Sequence, residues 1–117
     1  MRIKINKVDQ LFSKYVRLKA KNHCEYCGKY KEFGQLQTSH FWGRRNKSVR
    51  YDEENIAVLC FICHQRLGSN PEEHRAWFYK RLGDKRYRLL MLRANIPNRP
   101  DYKLIEMFLV AEIKKLE

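Results

Sequence analysis

The sequence lacks long hydrophobic runs. Its longest unbroken apolar stretch, residues 56–63, is eight residues, far short of the roughly 20 that a bilayer-spanning helix needs. The opening "MRIKINKVDQ" has no long apolar segment of the secretory kind, so the expectation is a cytosolic protein with no membrane association. No internal repeat and no low-complexity tract is visible. Acidic residues are also scarce. There are 13 Asp and Glu against 25 Lys and Arg, a formal net charge of +12. Such an excess on a small domain implies a polyanionic partner, most simply nucleic acid. The chain is not poor in core formers: 44% of its 117 residues are hydrophobic and 13% aromatic, which excludes a disordered tail. That length implies one domain, 1–117, able to bury roughly two thirds of its unfolded surface.

The apolar pattern is mostly helical. Residues 8–20 carry Val8, Leu11, Phe12, Tyr15, Val16 and Leu18 near one face, with Lys and Arg on the other. "NHCEYCGKY" reads as a turn-rich knuckle. "LQTSHF" and "IAVL" read as short strands joined by a polar loop, "GRRNKSVRYDEEN". A short helix is expected from near Cys63 to Gly68. In "SNPEEHRAWFYKRL", Asn70 is expected as cap, Pro71 in the first turn and Glu73 as the acid of a capping box. Gly83 ends that helix, and Asp84 is expected to cap the next, through about Asn95. After "IPNRPD", residues 102–116 form a final amphipathic helix whose stripe, Leu104, Ile105, Phe108, Leu109 and Ile113, is expected in the core. Trp42 and Trp77 are expected as core or groove walls, and His23 without a catalytic part.

Four cysteines stand in two Cys-x-x-Cys pairs, Cys24/Cys27 and Cys60/Cys63. In a cytosolic chain this spacing points to metal before disulfides. Two residues between thiolates let one knuckle place both sulfurs on one tetrahedral ion, and a second knuckle closes the shell. The expectation is a closed structural Zn²⁺ site. A rubredoxin-like iron site and unliganded buried cysteines are the alternatives.

A closed sulfur shell leaves His64, next to Cys63, for other work. His40 ends the first strand and Asn55 precedes the second. A hairpin followed by a helix brings all three to one cleft, bracketing a basic loop with Arg44, Arg45, Lys47 and Arg50. Phosphodiester hydrolysis needs such parts. A neutral imidazole takes a proton from water, a divalent cation steadies developing charge, and guanidinium groups bind flanking phosphates.

His40, Asn55 and His64, with the paired knuckles, resemble the HNH endonucleases of the ββα-metal fold. The likeness is tightest over residues 39–78. "SHF", "RYDEEN", "LCFICH" and "GSNPEEH" are similar to bacteriophage recombination nucleases of the NinG type and to the RecA-dependent nuclease Ref. The resemblance implies an α+β, zinc-stapled ββα-metal domain with an HNH core at about 22–80 and a helical extension at 84–117. It implies His40 as general base, Asn55 as the residue fixing the base-bearing loop, and His64 as ligand of a catalytic Mg²⁺ or Mn²⁺. The basic loop then contacts DNA, with branched or recombination-intermediate DNA as the substrate class, and the host cytosol as the location. Many members carry Asp or His before the base; Ser39 stands there, a poor substitute for a carboxylate. The departure makes His74 a further candidate ligand. A non-catalytic, zinc-dependent nucleic-acid-binding module is the rival reading, since it needs the same cysteines and charge but neither His40 nor His64. The residues leave RNA open beside DNA and do not fix the number of chains.

Overall fold

The computed structural model describes residues 4–117. Asn6 starts the first helix, α1 (Lys7–Lys19). Its side-chain oxygen accepts from the Asp9 N–H at 2.8 Å, and the Asp9 carboxylate accepts from the Asn6 N–H at 2.8 Å, satisfying two donors that a helix start leaves free. Val8, Phe12, Tyr15 and Val16 are buried along one face. Lys21 and Asn22, with φ of 52° and 58°, turn the chain into the first cysteine knuckle. Gly28 closes that knuckle at φ 77° with its N–H on the Cys24 carbonyl at 2.8 Å, a left-handed conformation that favours glycine.

Two strands, β1 (Leu36–His40) and β2 (Ile56–Cys60), pair antiparallel, with Leu36 opposite Cys60 and His40 opposite Ile56. All five residues of β2 are buried, as their unbroken apolar run requires. The outer edge of β2 is met by Glu25. Its N–H donates to the Val58 carbonyl at 2.8 Å, and its carboxylate accepts from the Val58 N–H. The first knuckle is therefore fastened beside the strand that ends in Cys60. Helix α2 (Phe61–Gly68) begins at once, two residues earlier than expected, with Cys60 as its N-cap. Helices α3 (Pro71–Leu82), α4 (Asp84–Asn95) and α5 (Tyr102–Leu116) follow. The result is an α+β arrangement of helices around one small sheet. Phe78, Leu59, Leu67, Leu90 and Leu109 are its largest fully buried apolar side chains.

Several local expectations are corrected. Asn70 does not cap α3 with its side chain; its Nδ2 donates back to the Arg66 carbonyl at 2.6 Å. Glu73 forms no capping box, because it accepts from the Arg66 guanidinium at 3.0–3.2 Å. Asp84 is the first residue of α4 rather than its cap, and accepts from the Tyr79 hydroxyl at 2.7 Å. On α5 the stripe divides. Leu109 and Ile113 are buried, but Leu104 is 62% and Phe108 50% exposed, because they border an open pocket against Phe12 and Tyr15 of α1 that nothing among the described residues fills.

The segment between the strands is less polar in its packing than in its composition. It holds two short 3₁₀ turns, Lys47–Val49 and Glu53–Asn55, and buries Val49, Arg50 and Asn55. The end of α4 is fastened to it. Asn46 Nδ2 donates to the Ala94 carbonyl at 2.9 Å, Ser48 Oγ to the Ile96 carbonyl at 2.7 Å, and Arg93 to Asp52 and Glu54 at 2.7 and 2.8 Å. No helix among the described residues is long and apolar enough to cross a membrane.

Candidate functional site

The four cysteines converge. The sulfurs of Cys24, Cys27, Cys60 and Cys63 all lie within 4.8 Å of one another. Sulfurs placed tetrahedrally about 2.3 Å from one Zn²⁺ are about 3.8 Å apart, so a small contraction closes the cluster on an ion. Burial pushes the Cys24 thiol up, but backbone hydrogen bonds at Cys27, Cys60 and Tyr26 outweigh it and bring it to about 7. Burial, and then hydrogen bonding to the other cysteines, pushes Cys63 well above the ordinary thiol range. One sulfur is thus ready to ionise and another is not, an imbalance that a divalent cation removes by favouring every thiolate. The set can hold a metal such as zinc.

His40 sits at the end of β1. Its Nε2 lies 2.9 Å from the Arg50 carbonyl, which can only accept, so Nε2 carries the proton. Its Nδ1 then carries the lone pair, and that atom is buried without a partner. Burial first, and the Arg44 charge second, push the ring down to about 4. At neutral pH it is an uncharged base.

Asn55 is fully buried. Its Oδ1 accepts from the Trp42 N–H at 2.8 Å, while Nδ2 donates to the Trp42 and Val49 carbonyls at 2.9 and 3.0 Å. Its own carbonyl accepts from the Phe41 N–H at 2.7 Å. One side chain therefore fastens both ends of the segment that leaves His40.

His64 lies on α2 and His74 on α3. His64 Nδ1 and His74 Nε2 are buried and unpartnered. Burial first, and the charge of His64 second, hold His74 below its ordinary range. Phe41, next in the chain to His40, sets its ring edge-on to His74 at 5.4 Å. Five of the seven buried side-chain nitrogens and oxygens without a partner among the described residues are in His40, Trp42, Arg44, His64 and His74. Buried polar atoms are normally paired, and unpaired ones concentrate where a ligand or ion belongs. The donors fit a divalent cation only in part. His64 and His74 supply imidazoles, but among the described residues no carboxylate joins them in a ligand group, and Ser39 is a 5% exposed hydroxyl. Among the described residues only the cysteine set brings three ligand atoms together.

The basic loop divides as well. Arg45 and Lys47 are exposed, and Arg44 is half-buried with Nε unpartnered. Arg50 corrects the expectation of a phosphate contact. It is 5% exposed, and its guanidinium is spent on Asp9, at 2.9 and 2.6 Å, and on the Lys4 carbonyl at 3.0 Å. Sequence reasoning missed Asp9 altogether. Its only local signal was an acid in the first turn of a helix, and nothing in the pattern joined it to an arginine so far along the chain.

A family model described as Bacteriophage Lambda NinG protein matches residues 2–117. No curated protein and no solved structure matches the chain.

Proposed function

The chain belongs to the Bacteriophage Lambda NinG protein family, a phage recombination family, and from that premise we propose that it is a metal-dependent DNA endonuclease of the HNH, ββα-metal kind. The observation that carries the reading is His40, a neutral imidazole tied through Nε2 to the Arg50 carbonyl with Nδ1 unpartnered. His40 is uncharged, oriented and unpartnered at one nitrogen, as a candidate base must be; at about 4 it is a weak base at neutral pH, and DNA binding must open its buried Nδ1 to water. Its position at the end of β1, with β2 and α2 following, is the order that a ββα-metal centre requires.

In this reading His40 Nδ1 takes a proton from an attacking water. The water oxygen attacks phosphorus in line, the P–O3′ bond breaks with its electron pair going to O3′, O3′ takes a proton from solvent water, and 5′-phosphate and 3′-hydroxyl ends result. Asn55 holds the loop that sets the direction of His40. Arg44, Arg45 and Lys47 bind flanking phosphates. His64 and His74 would hold the divalent cation, which supplies charge stabilisation at the phosphate. The cysteine cluster holds Zn²⁺ and keeps the knuckle on β2.

The absence of a carboxylate beside His64 favours a second reading, a zinc-folded nucleic-acid binder without catalysis. One experiment separates them. Supercoiled plasmid is incubated with the protein and with a His40→Ala variant across Mg²⁺ and Mn²⁺, with DNA binding measured in parallel. Nicking lost in the variant while binding persists supports the nuclease. Equal nicking by both, or none by either, leaves the binder.

A further inference from the structure

We propose that an aromatic groove beside His74 seats one unpaired DNA base, so that the protein engages DNA where the duplex is open. The groove holds about 700 Å³ and is lined by Phe41, Trp42, Tyr79, Tyr87 and Met91, with Arg75 among its walls. Its rings already pack edge-on against one another, Phe41 with Trp42 at 6.0 Å and Tyr79 with Tyr87 at 5.2 Å. Tyr79 and Met91 remain 43% and 36% exposed, so the fold does not cover them.

Two observations select a base as the occupant. The first is continuity: Phe41 belongs to the groove, follows His40 in the chain and touches His74. The Phe41 ring points away from His40 and lies against His74, so it is a phosphate held at His74 that brings a neighbouring nucleotide to the aromatic walls. The second is charge. The net charge is +12, Arg75 is an exposed cation on the groove, and Arg44 and Arg45 follow Trp42 closely. An apolar slot framed by cations suits a flat base on a phosphate chain better than an apolar peptide. Aromatic side chains stack bases without regard to sequence. Inside a closed duplex both faces of a base are covered by its neighbours, and only the two end pairs present one face each, whereas every base of an open strand can present a face. The groove therefore distinguishes open from closed DNA. This rests on the nuclease reading for where the strand lies.

The test uses the full, zinc-loaded chain without added divalent cation, so that nothing is cut. The affinity of a labelled single strand is compared with that of its own blunt duplex at one salt concentration. The expectation is tighter binding of the single strand, and a fall of about five- to a hundred-fold in that affinity for Tyr79→Ala. Tyr79→Phe, which keeps the ring, should keep the preference. Met91→Glu, an exposed change that puts a like charge against phosphate, should reduce it if Tyr79→Ala does not fold. Circular dichroism verifies each variant. A wild type that binds both forms equally overturns the proposal, as does an unchanged preference in the folded variants. A change in sedimentation with no change in preference assigns the groove to a second copy and also overturns it. Cleavage is not read, so failure here leaves the nuclease test standing, and failure of that test leaves this one standing.

Discussion

His40 Nε2 donates to the backbone carbonyl of Arg50 at 2.9 Å, and the side chain of the same arginine is locked to Asp9 on α1. The His40 ring is thus oriented by a residue whose own position is set by a buried ion pair, with side-chain exposures of 6% and 3%. Burial pushes the Asp9 carboxyl up, but the Arg50 hydrogen bonds and charge and the Asn6 backbone N–H outweigh it and hold it below its ordinary 3.8. A lowered carboxyl contributes stability that is present above its unfolded value and is lost as pH falls through the lower folded one. Asp9→Ala leaves a buried, unpaired guanidinium and should cost about 3–5 kcal/mol, read as a lower urea midpoint. Replacing both partners by apolar residues should recover much of that stability without recovering nicking, because the Arg50 carbonyl would no longer be held for His40.

Arg44 and burial together keep His40 neutral, and their effects can be separated. In Arg44→Ala, a histidine titration by NMR should show His40 rising from about 4 but stopping short of its ordinary 6.5, because burial is the larger cause and remains. The same depression predicts an acid-sensitive fold. Between pH 6.5 and about 4 the unfolded chain binds a proton at His40 and the folded chain does not, so stability falls as pH falls through that window. The full effect is on the order of 3 kcal/mol. Thiolate protonation acts in the same direction, so the measurement is the difference in pH slope between wild type and His40→Gln. Equal slopes would remove His40 from the account.

The cysteine cluster should bind one zinc per chain, with protons released on binding, since Cys63 is far from ionised on its own. Cys60→Ser should lose more than Cys27→Ser, because Cys60 is buried at the end of β2 and caps α2, whereas Cys27 is exposed. Structural zinc in small domains supplies roughly 10–16 kcal/mol of apparent folding energy, so a strong chelator should unfold the protein. Metal content and far-ultraviolet circular dichroism, followed together, check both statements. Unchanged spectra after complete zinc removal would show that the packed helices suffice.

Short-range signals in the sequence were legible. The two Cys-x-x-Cys spacings predicted a single cluster, the run from Ile56 predicted a buried strand, and Gly83 marked a helix end; the structure has all three. What could not be read were competitions decided by tertiary contacts. Asn70 and Glu73 have the residue types of a capping box, but Arg66 on the preceding helix takes both. Arg50 has the composition of a phosphate ligand, but a carboxylate from a distant helix claims it. Leu104 and Phe108 fall on the helical stripe and face Phe12 and Tyr15 of α1, yet an open pocket remains between them and leaves both exposed. At the candidate site, the residue types His40, Asn55 and His64 were visible. The tautomer of His40 and the double grip of Asn55 on Trp42 were not, because each depends on atoms brought together by the fold.

On the proposed nuclease reading, the choice of metal follows from the donors around His64. Mg²⁺ takes oxygen ligands in near-octahedral geometry and gives up its waters reluctantly, while imidazole suits later transition metals. With His64 and His74 as the protein donors and Ser39 in place of a carboxylate, activity with Mn²⁺ should exceed activity with Mg²⁺, and Co²⁺ or Ni²⁺ should bind more tightly than either. His74→Ala should raise the Mn²⁺ concentration needed for half-maximal nicking by about tenfold or more, with a smaller change in the rate at saturating metal, since His74 would hold the ion without touching the reacting water. Ser39→Asp supplies the missing carboxylate beside the base and should shift the preference back toward Mg²⁺. Metal titrations of nicking on the three proteins decide the matter. If His74→Ala titrates like the wild type, the unpartnered nitrogen of His74 is a packing feature against Phe41, and His64 acts with phosphate and water alone.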